Sequence, residues 1–446
     1  MANSTSNKPA PDLAAALRQQ WSALMADRCV LEVALSGGLD SVVLLHVLQR
    51  LQSELPITVR AVHVHHGLQA AADEWVVFCQ NLCAQWQIPL RVEKVAVSRN
   101  GQGIEGAART ARYAAFARSE AAALVLAHHQ DDQTETFMLA ALRGGGLRAL
   151  AAMPPLRRLD ADKVLWRPLL PFSRAQLQQY AAAWQLPYVE DGSNHDTSLL
   201  RNWLRQQGLP PWQARLPHLA AQIGSSIGQL QDALALQDEV CAQDWQQVCA
   251  GGVFDVQHWR RLSPQRQQLQ LHYFARQHDL GVPSRSSIAA FAAQLRLPEI
   301  TQAQWPLPQG AAVLHRHILW PQRADIQQQW PWLAQLPCCV AVGDKPARIP
   351  LHWQTHALGL PAAMGPLWLR QVQAHDTLLL KVGRKNVKKM LQEQKIAPFM
   401  RTIWPILADE HQRCVAVSGV AVAVDVGVAG GLLPWMAGLP NTNIKF

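Results

Sequence analysis

The chain has 446 residues, 49% of them apolar, and carries 41 Lys and Arg against 32 Asp and Glu, a formal charge of +9 with a pI near 9.3. That length holds two or three domains with sizeable cores, and the basic balance points to a polyanionic partner without specifying one. Eight scattered cysteines match no zinc or C-x-x-C redox spacing, so a reduced cytoplasmic protein is expected.

Met1 to Pro11 is polar, so a disordered arm is expected there rather than a signal peptide. The first strong pattern is an apolar run from Cys29 to Leu35, the loop Ser36-Gly37-Gly38-Leu39-Asp40-Ser41, and a second apolar run from Val42 to Leu48. It reads as strand, glycine loop and helix. Such a loop presents unpaired backbone N–H groups and the positive end of a helix dipole, which suits a phosphate. The loop has no Lys after its glycines, so it is not the G-x-x-x-x-G-K-[ST] loop, and Asp40 is available to hold Mg²⁺. By itself the hexamer also reads as a serine-capped strand-to-helix turn.

Further strands are expected at Ile57 to His65, Leu90 to Val97 and Ala123 to His128, alternating with helices around Trp75 to Cys83, Glu105 to Ser119 and Asp131 to Arg143. This alternation predicts an α/β fold with a doubly wound parallel sheet, whose ligands bind at the carboxyl ends of the strands. Those ends carry His63, His65, His66, His128 and His129. Asp132 and Glu135 share a helix face and suit an ammonium group or Mg²⁺, although acids in a first helical turn also simply complement the dipole. His128 is placed to hydrogen-bond a phosphate or accept a proton. Glu105, Arg109 and Arg112 share another face, either as a surface salt bridge worth about 0.3–0.5 kcal/mol or as a phosphate grip.

The loop S-G-G-L-D-S has the pattern of the PP-loop ATP pyrophosphatases. With V-H-H-G-L, G-I-E-G-A-A-R-T-A-R-Y from Gly103, A-H-H-Q-D-D-Q-T-E-T from Ala127, R-G-G-G-L from Arg143, W-R-P-L-L from Trp166, E-D-G-S-N-H-D from Glu190 and R-N-W-L-R from Arg201, the chain resembles the bacterial tRNA(Ile)-lysidine synthetases. The resemblance is specific to about Arg205 and looser beyond. The family often has Arg at the position of Gln69, Pro at that of Gly192, and Ser or Thr at that of Gly145.

Downstream, Ser173 and Gln176 form a capping box, Pro210 and Pro211 mark a boundary, and Leu219, Ile223, Ile227, Leu230 and Leu234 stripe a long helix. Valines alternate from Val420 to Val428, the period of strands and not of a membrane helix, so no membrane span is expected. The expected division is a PP-loop catalytic domain over 1–211, a mainly helical substrate-binding domain over 212–325, a linker over 326–345 and a basic C-terminal α+β domain over 346–446. Lys381 to Arg401 holds seven Lys or Arg residues against Glu393 alone, either a solvated face or an RNA-phosphate surface.

The resemblance implies an adenine nucleotide alpha-hydrolase-like fold and a ligase that adenylates the wobble cytidine of tRNA(Ile) with anticodon CAU, then joins L-lysine to it. It implies ATP on Ser36, Gly37, Gly38, Leu39, Asp40, Ser41, Arg109 and Arg112, with Mg²⁺ on Asp40. Asp132 and Glu135 would take lysine, with His128 beside them. Arg201, Arg205, Arg384, Lys385, Lys388 and Lys389 would contact tRNA, and a homodimer is compatible with the family. Two alternatives remain at this level: another PP-loop tRNA-modifying enzyme of thiolase type, and a non-catalytic tRNA-binding protein.

Overall fold

The computed structural model describes residues 12–24, 29–67, 72–96, 103–159, 163–190, 196–437 and 439. The arm Met1 to Pro11, Gln69, Gly192 and the side chain of Glu105 lie outside the described residues. Two compact units divide the chain, Met1–Asp238 and Glu239–Phe446.

The first unit begins with α1 (Leu13–Leu24), β1 (Cys29–Ala34), α2 (Leu39–Leu51), β2 (Ile57–His65), α3 (Ala72–Gln85), β3 (Leu90–Lys94) and α4 (Gly103–Ala117). There follow β4 (Ala123–Val125), α5 (Gln130–Leu142), α6 (Leu147–Leu150), β5 (Leu156–Arg158), β6 (Val164–Trp166) and α7 (Arg174–Ala183). After α8 (Leu200–Trp203) comes a π-helical turn (Leu204–Gly208), then α9 (Pro210–Arg215) and α10 (Leu219–Val248), which runs across the boundary.

The six strands stand in the order β3-β2-β1-β4-β6-β5. All neighbours are parallel except β5, which pairs antiparallel with β6. Leu31 and Val33 of β1, Ala61 of β2, and Ala123 and Val125 of β4 are fully buried, as expected where helices cover both faces of a parallel sheet. The winding reverses between β1 and β4, and the carboxyl ends at such a switch point are the usual ligand crevice of these sheets. β4 is three residues long rather than six, which leaves His128 and His129 in the irregular chain leading into α5.

In the second unit, β7 (Phe254–Asp255), α11 (Val256–Trp259), α12 (Pro264–Gln277), α13 (Arg285–Arg296), β8 (Gln302–Leu307), β9 (Gly310–His315) and β10 (Ile318–Arg323) form one core. Its antiparallel sheet has the order β7-β10-β9-β8. Trp259 and Phe274 are fully buried, and Phe291 stacks on Trp305 at 5.0 Å.

A second core gathers α14 (Ile326–Gln329), a 3-10 turn (Pro331–Gln335), β11 (Cys338–Val340), β12 (Leu351–Leu360), β13 (Leu367–Gln371), β14 (Thr377–Leu380) and β15 (Gly383–Asn386). It is completed by α15 (Val387–Glu393), α16 (Pro398–Arg401), β16 (Pro405–Ala408), β17 (Cys414–Val417), β18 (Ala421–Val422) and β19 (Leu432–Met436). The main sheet is antiparallel in the order β11-β13-β16-β17-β18. Within residues 326–345, Trp330, Trp332 and Leu333 are buried in this core. The alternating valines yield only the short β18, because the chain turns after Ala423. Among the described residues no helix is long and apolar enough to cross a membrane.

Candidate active site

The loop after β1 turns at Gly37, whose φ of +89° suits glycine, and a Cβ there would meet Val189 at 3.0 Å and Cys79 Sγ at 3.3 Å. Val189 donates its N–H to Gly37 O at 3.0 Å, which ties the loop to the segment after α7. Gly38 is the N-cap of α2, and its carbonyl accepts from Ser41 N and Val42 N at 3.1 Å each. The two hydroxyls serve the loop itself. Ser41 Oγ donates to Gly38 O at 2.9 Å and lies 3.1 Å from Ser36 Oγ, while Gly38 N donates to Ser36 Oγ at 3.3 Å. Leu39 and Ser41 are buried, so what the loop offers a ligand is backbone, the exposed Ser36 and the Asp40 carboxylate.

Across the crevice, at the end of β4, the residue at the centre is His129. Its ring is 2% exposed and lies 3.6 Å from Asp40, 3.4 Å from Asp131 and 3.5 Å from Asp132. Burial disfavours its charge, but Asp131, Asp40 and Asp132 outweigh burial and push its pKa up to about 10. The imidazolium thus joins the phosphate loop electrostatically to the start of α5. Asp132 also accepts from His129 N at 3.1 Å and completes a capping box. His128 is different: burial, opposed by Asp132 and reinforced by Arg167, brings it down to about 4, so the ring is neutral near neutral pH. The sequence singled out His128, whereas the geometry gives the central place to its neighbour. The signal was the run of acids at positions 131 and 132 following a strand end.

Asp132 and Glu135 do share a face of α5, and both meet arginines. Glu135, 1% exposed, accepts from Arg201 Nε at 2.7 Å and from Arg205 Nε at 2.5 Å. Asp132 accepts from Arg201 at 3.0 Å and Arg205 at 3.4 Å. The two arginines sit on α8 and on the π-helical turn that follows it, a backbone form that often marks functional sites. The structure therefore brings the residues expected to hold lysine and those expected to hold RNA into one ion-pair network.

The other histidines are separately engaged. His63, 4% exposed, is 2.9 Å from Leu35 O, and His65 lies 3.2 Å from Asp73. His66 accepts from Arg112 Nε at 3.4 Å, and burial, with Arg112, brings it down to about 4. Arg109 and Arg112 are both exposed. Arg167, from the W-R-P-L-L motif, was not singled out in the sequence, yet it is 3% exposed and acts on the charge of His128. Gly145 is closely packed, since a Cβ would meet Ala140 O and Ala149 Cβ at 2.9 Å.

In the second unit, α15 buries Val387, Met390 and Leu391, and Asn386 caps it by accepting from Lys389 N at 3.2 Å. Arg384 and Lys389 are exposed, Lys388 is half-buried, and Lys385 lies on β15 and pairs with Glu393. Arg384 and Lys389 are thus the exposed cations beside a helix whose other face is docked.

Among the described residues no group of three or more His, Cys, Asp or Glu side chains is arranged to hold a metal ion. Asp40 Oδ1 is nonetheless buried without a hydrogen-bond partner. One such carboxylate fits Mg²⁺, which is usually held by one or two carboxylates together with substrate phosphates.

Comparison with known proteins agrees with this layout. A family described as a PP-loop domain matches residues 11–211, and one described as the TilS substrate C-terminal domain matches residues 368–435. The tRNA(Ile)-lysidine synthase of Neisseria gonorrhoeae is 42% identical over 407 residues, 90% of each chain. That of Chromobacterium violaceum is 36% identical over 96% of this chain and 100% of its own, and that of Shigella flexneri 35% identical over 92% and 95%. On its loop, its sheet and these matches over nearly its full length, the chain belongs to the tRNA(Ile)-lysidine synthase family.

Proposed function

We propose that this chain makes lysidine at the wobble cytidine of tRNA(Ile) with anticodon CAU, changing its codon from AUG to AUA and its identity from methionine to isoleucine. The observation that carries this reading is the placement of the Ser36–Ser41 loop and the acid end of α5 on the two strands that flank one switch point, β1 and β4. In the first step, cytidine O2 attacks the α-phosphate of ATP and pyrophosphate leaves, held by the backbone donors at the start of α2. The lysine ε-amine then attacks C2, and AMP leaves with the former O2. When bound, Mg²⁺ would be held by Asp40 and would offset phosphate charge. Arg109 and Arg112 steady phosphates of ATP or of the anticodon loop, and Arg384, Lys385, Lys388 and Lys389 contact tRNA phosphates without reading bases.

Asp132 and Glu135 suit the ammonium groups of lysine, but guanidinium groups fill those positions here. Arg201 and Arg205 would exchange the acids for RNA phosphates when tRNA binds, freeing the carboxylates for lysine. His128, neutral and beside Asp132, is placed to accept a hydrogen bond from the incoming amine.

A thiolase reading is less favoured. Cys79 and Cys83 are buried, and burial pushes their thiols up to about 12 and about 11, so neither is a thiolate at neutral pH. The deciding test is incubation of purified protein with labelled ATP, L-lysine and CAU-anticodon tRNA, followed by nucleoside analysis. Absence of lysine incorporation by folded protein rejects the proposal. Lysine binding that is equally tight with and without tRNA rejects the arginine exchange.

A further inference from the structure

Arg167 follows β6 and lies at the carboxyl edge of the sheet beside the end of β4, where Val125 pairs with Trp166. Its side chain is 3% exposed. Nη1 donates to Pro154 O at 2.9 Å, the Tyr113 hydroxyl is a further partner, and Nε is buried with no hydrogen-bond partner. Two more guanidinium groups converge on Tyr113. Arg109 Cζ lies 5.1 Å from the ring centroid, with Nη2 3.4 Å from the hydroxyl, and Arg157 Cζ lies 5.6 Å from the centroid on the solvent side. Among the described residues no carboxylate forms an ion pair with any of the three.

Like charges brought together with one of them out of water are unfavourable unless an anion completes the arrangement. The guanidinium of Arg167 shows the same imbalance, being held below its ordinary pKa by burial, opposed by Tyr113 and reinforced by Arg157 and Arg109. The strand spacing argues for an anion other than the pyrophosphate on the Ser36–Ser41 loop. β6 stands two strands from β1, a separation of about 10 Å at about 4.8 Å per strand.

We propose that Arg109, Arg157 and Arg167, assembled around Tyr113, receive a backbone phosphate of the RNA next to the nucleotide being modified. This rests on the function proposed above and adds a separate anchor that fixes the register of the target base. Arg109 and Arg157 touch the phosphate, and Arg167 is a positioning residue that holds Tyr113 and the two outer arginines from below.

The test compares Arg157→Ala, Arg167→Met and Arg167→Lys. The readouts are tRNA affinity across a salt series, KM for ATP and melting temperature. Loss of one phosphate contact lowers the slope of log affinity against log salt by about 0.7–0.9. Arg157→Ala should show that change with about tenfold weaker binding and an unmoved KM for ATP. Arg167→Met should weaken RNA binding while its melting temperature stays level or rises, and Arg167→Lys should recover part of the affinity. Unchanged RNA affinity and salt slope in Arg157→Ala and Arg167→Met overturn the proposal. So does a raised KM for ATP with RNA affinity intact, which would assign the cluster to ATP. Should Arg167→Met fail to fold, the exposed Arg157 decides alone. Lysidine formation by the unaltered chain is scored in parallel, so its absence rejects the reaction while the RNA affinities still judge the anchor.

Discussion

Two groups of arginines stand at the carboxyl edge of the same sheet, and their charges are met in opposite ways. Arg201 and Arg205 close on Asp132 and Glu135, four charged groups whose donors and acceptors satisfy one another. Among the described residues, Arg109, Arg157 and Arg167 meet an aromatic ring, a hydroxyl and a carbonyl but no carboxylate. The first group is satisfied within the protein, and under the function proposed above it opens for lysine to enter. The second has no carboxylate partner among the described residues, and the anchor proposed above gives it an RNA phosphate. The Arg370–Asp376 pair in the second unit, with both residues under 10% exposed and bonds of 2.8 and 2.9 Å, is a useful control, since it is paired like the first group and lies outside the proposed chemistry.

Removing the shared acid is the severest way to break this contrast. Glu135→Ala should lose about 3–5 kcal/mol of stability in urea unfolding, because it removes the fully buried acid of the network and leaves two half-buried guanidinium groups to share Asp132 alone. A loss below about 1 kcal/mol would mean that the arginines simply relax into water. Asp40→Ala should cost less stability than Glu135→Ala, since Asp131 and Asp132 still face His129, but reduce pyrophosphate release about 100-fold or more, by analogy with removal of one preorganised charge-stabilising group. Normal release would remove Asp40 from the phosphate step. Next, Arg205→Ala should cost about 1–3 kcal/mol for its charged hydrogen bonds, whereas Arg157→Ala should stay within about 0.5 kcal/mol. Equal effects would erase the distinction between the clusters.

The smallest effect concerns the control pair. Burial raises the Asp376 carboxyl, but Arg370 and the Gln373 N–H hold it, on balance, below its ordinary value of 3.8. A carboxylate depressed in the folded state contributes stability above its unfolded pKa and loses it as pH falls through the folded value. Thermal stability should therefore decline below about pH 4, and Asp376→Asn should flatten that part of the profile. An unchanged profile in the variant would place the acid sensitivity elsewhere.

Much of the first unit was legible beforehand because its signals are local. The alternation of apolar runs located β1, β2, β3 and their helices, and the glycines of the phosphate loop marked the position where Gly37 needs its positive φ. Capping at Ser173 was found where expected. The valines from 420 to 428 do enter a strand rather than a long helix, but β18 is confined to Ala421–Val422 because period-2 alternation says nothing of how far a strand runs. Gly427 is wedged against Leu358 and a following turn takes over. Lys385 belongs to β15, one residue before the capping Asn386, and not to the helix that carries Lys388 and Lys389.

By itself, then, the sequence determined the parallel α/β unit, the phosphate loop, the acid face of α5 and the docked face beneath the C-terminal cations. Each of these is a matter of spacing within a few turns of chain. Tertiary structure decided the partners: Arg201 and Arg205 on acids 66 to 73 residues away, His129 rather than His128 between the two sides of the crevice, and Arg167 beneath Tyr113. Such pairings depend on which strands become neighbours and on how far each strand runs before it turns. A periodic pattern fixes which face of an element is buried, but it carries no record of what that face will meet.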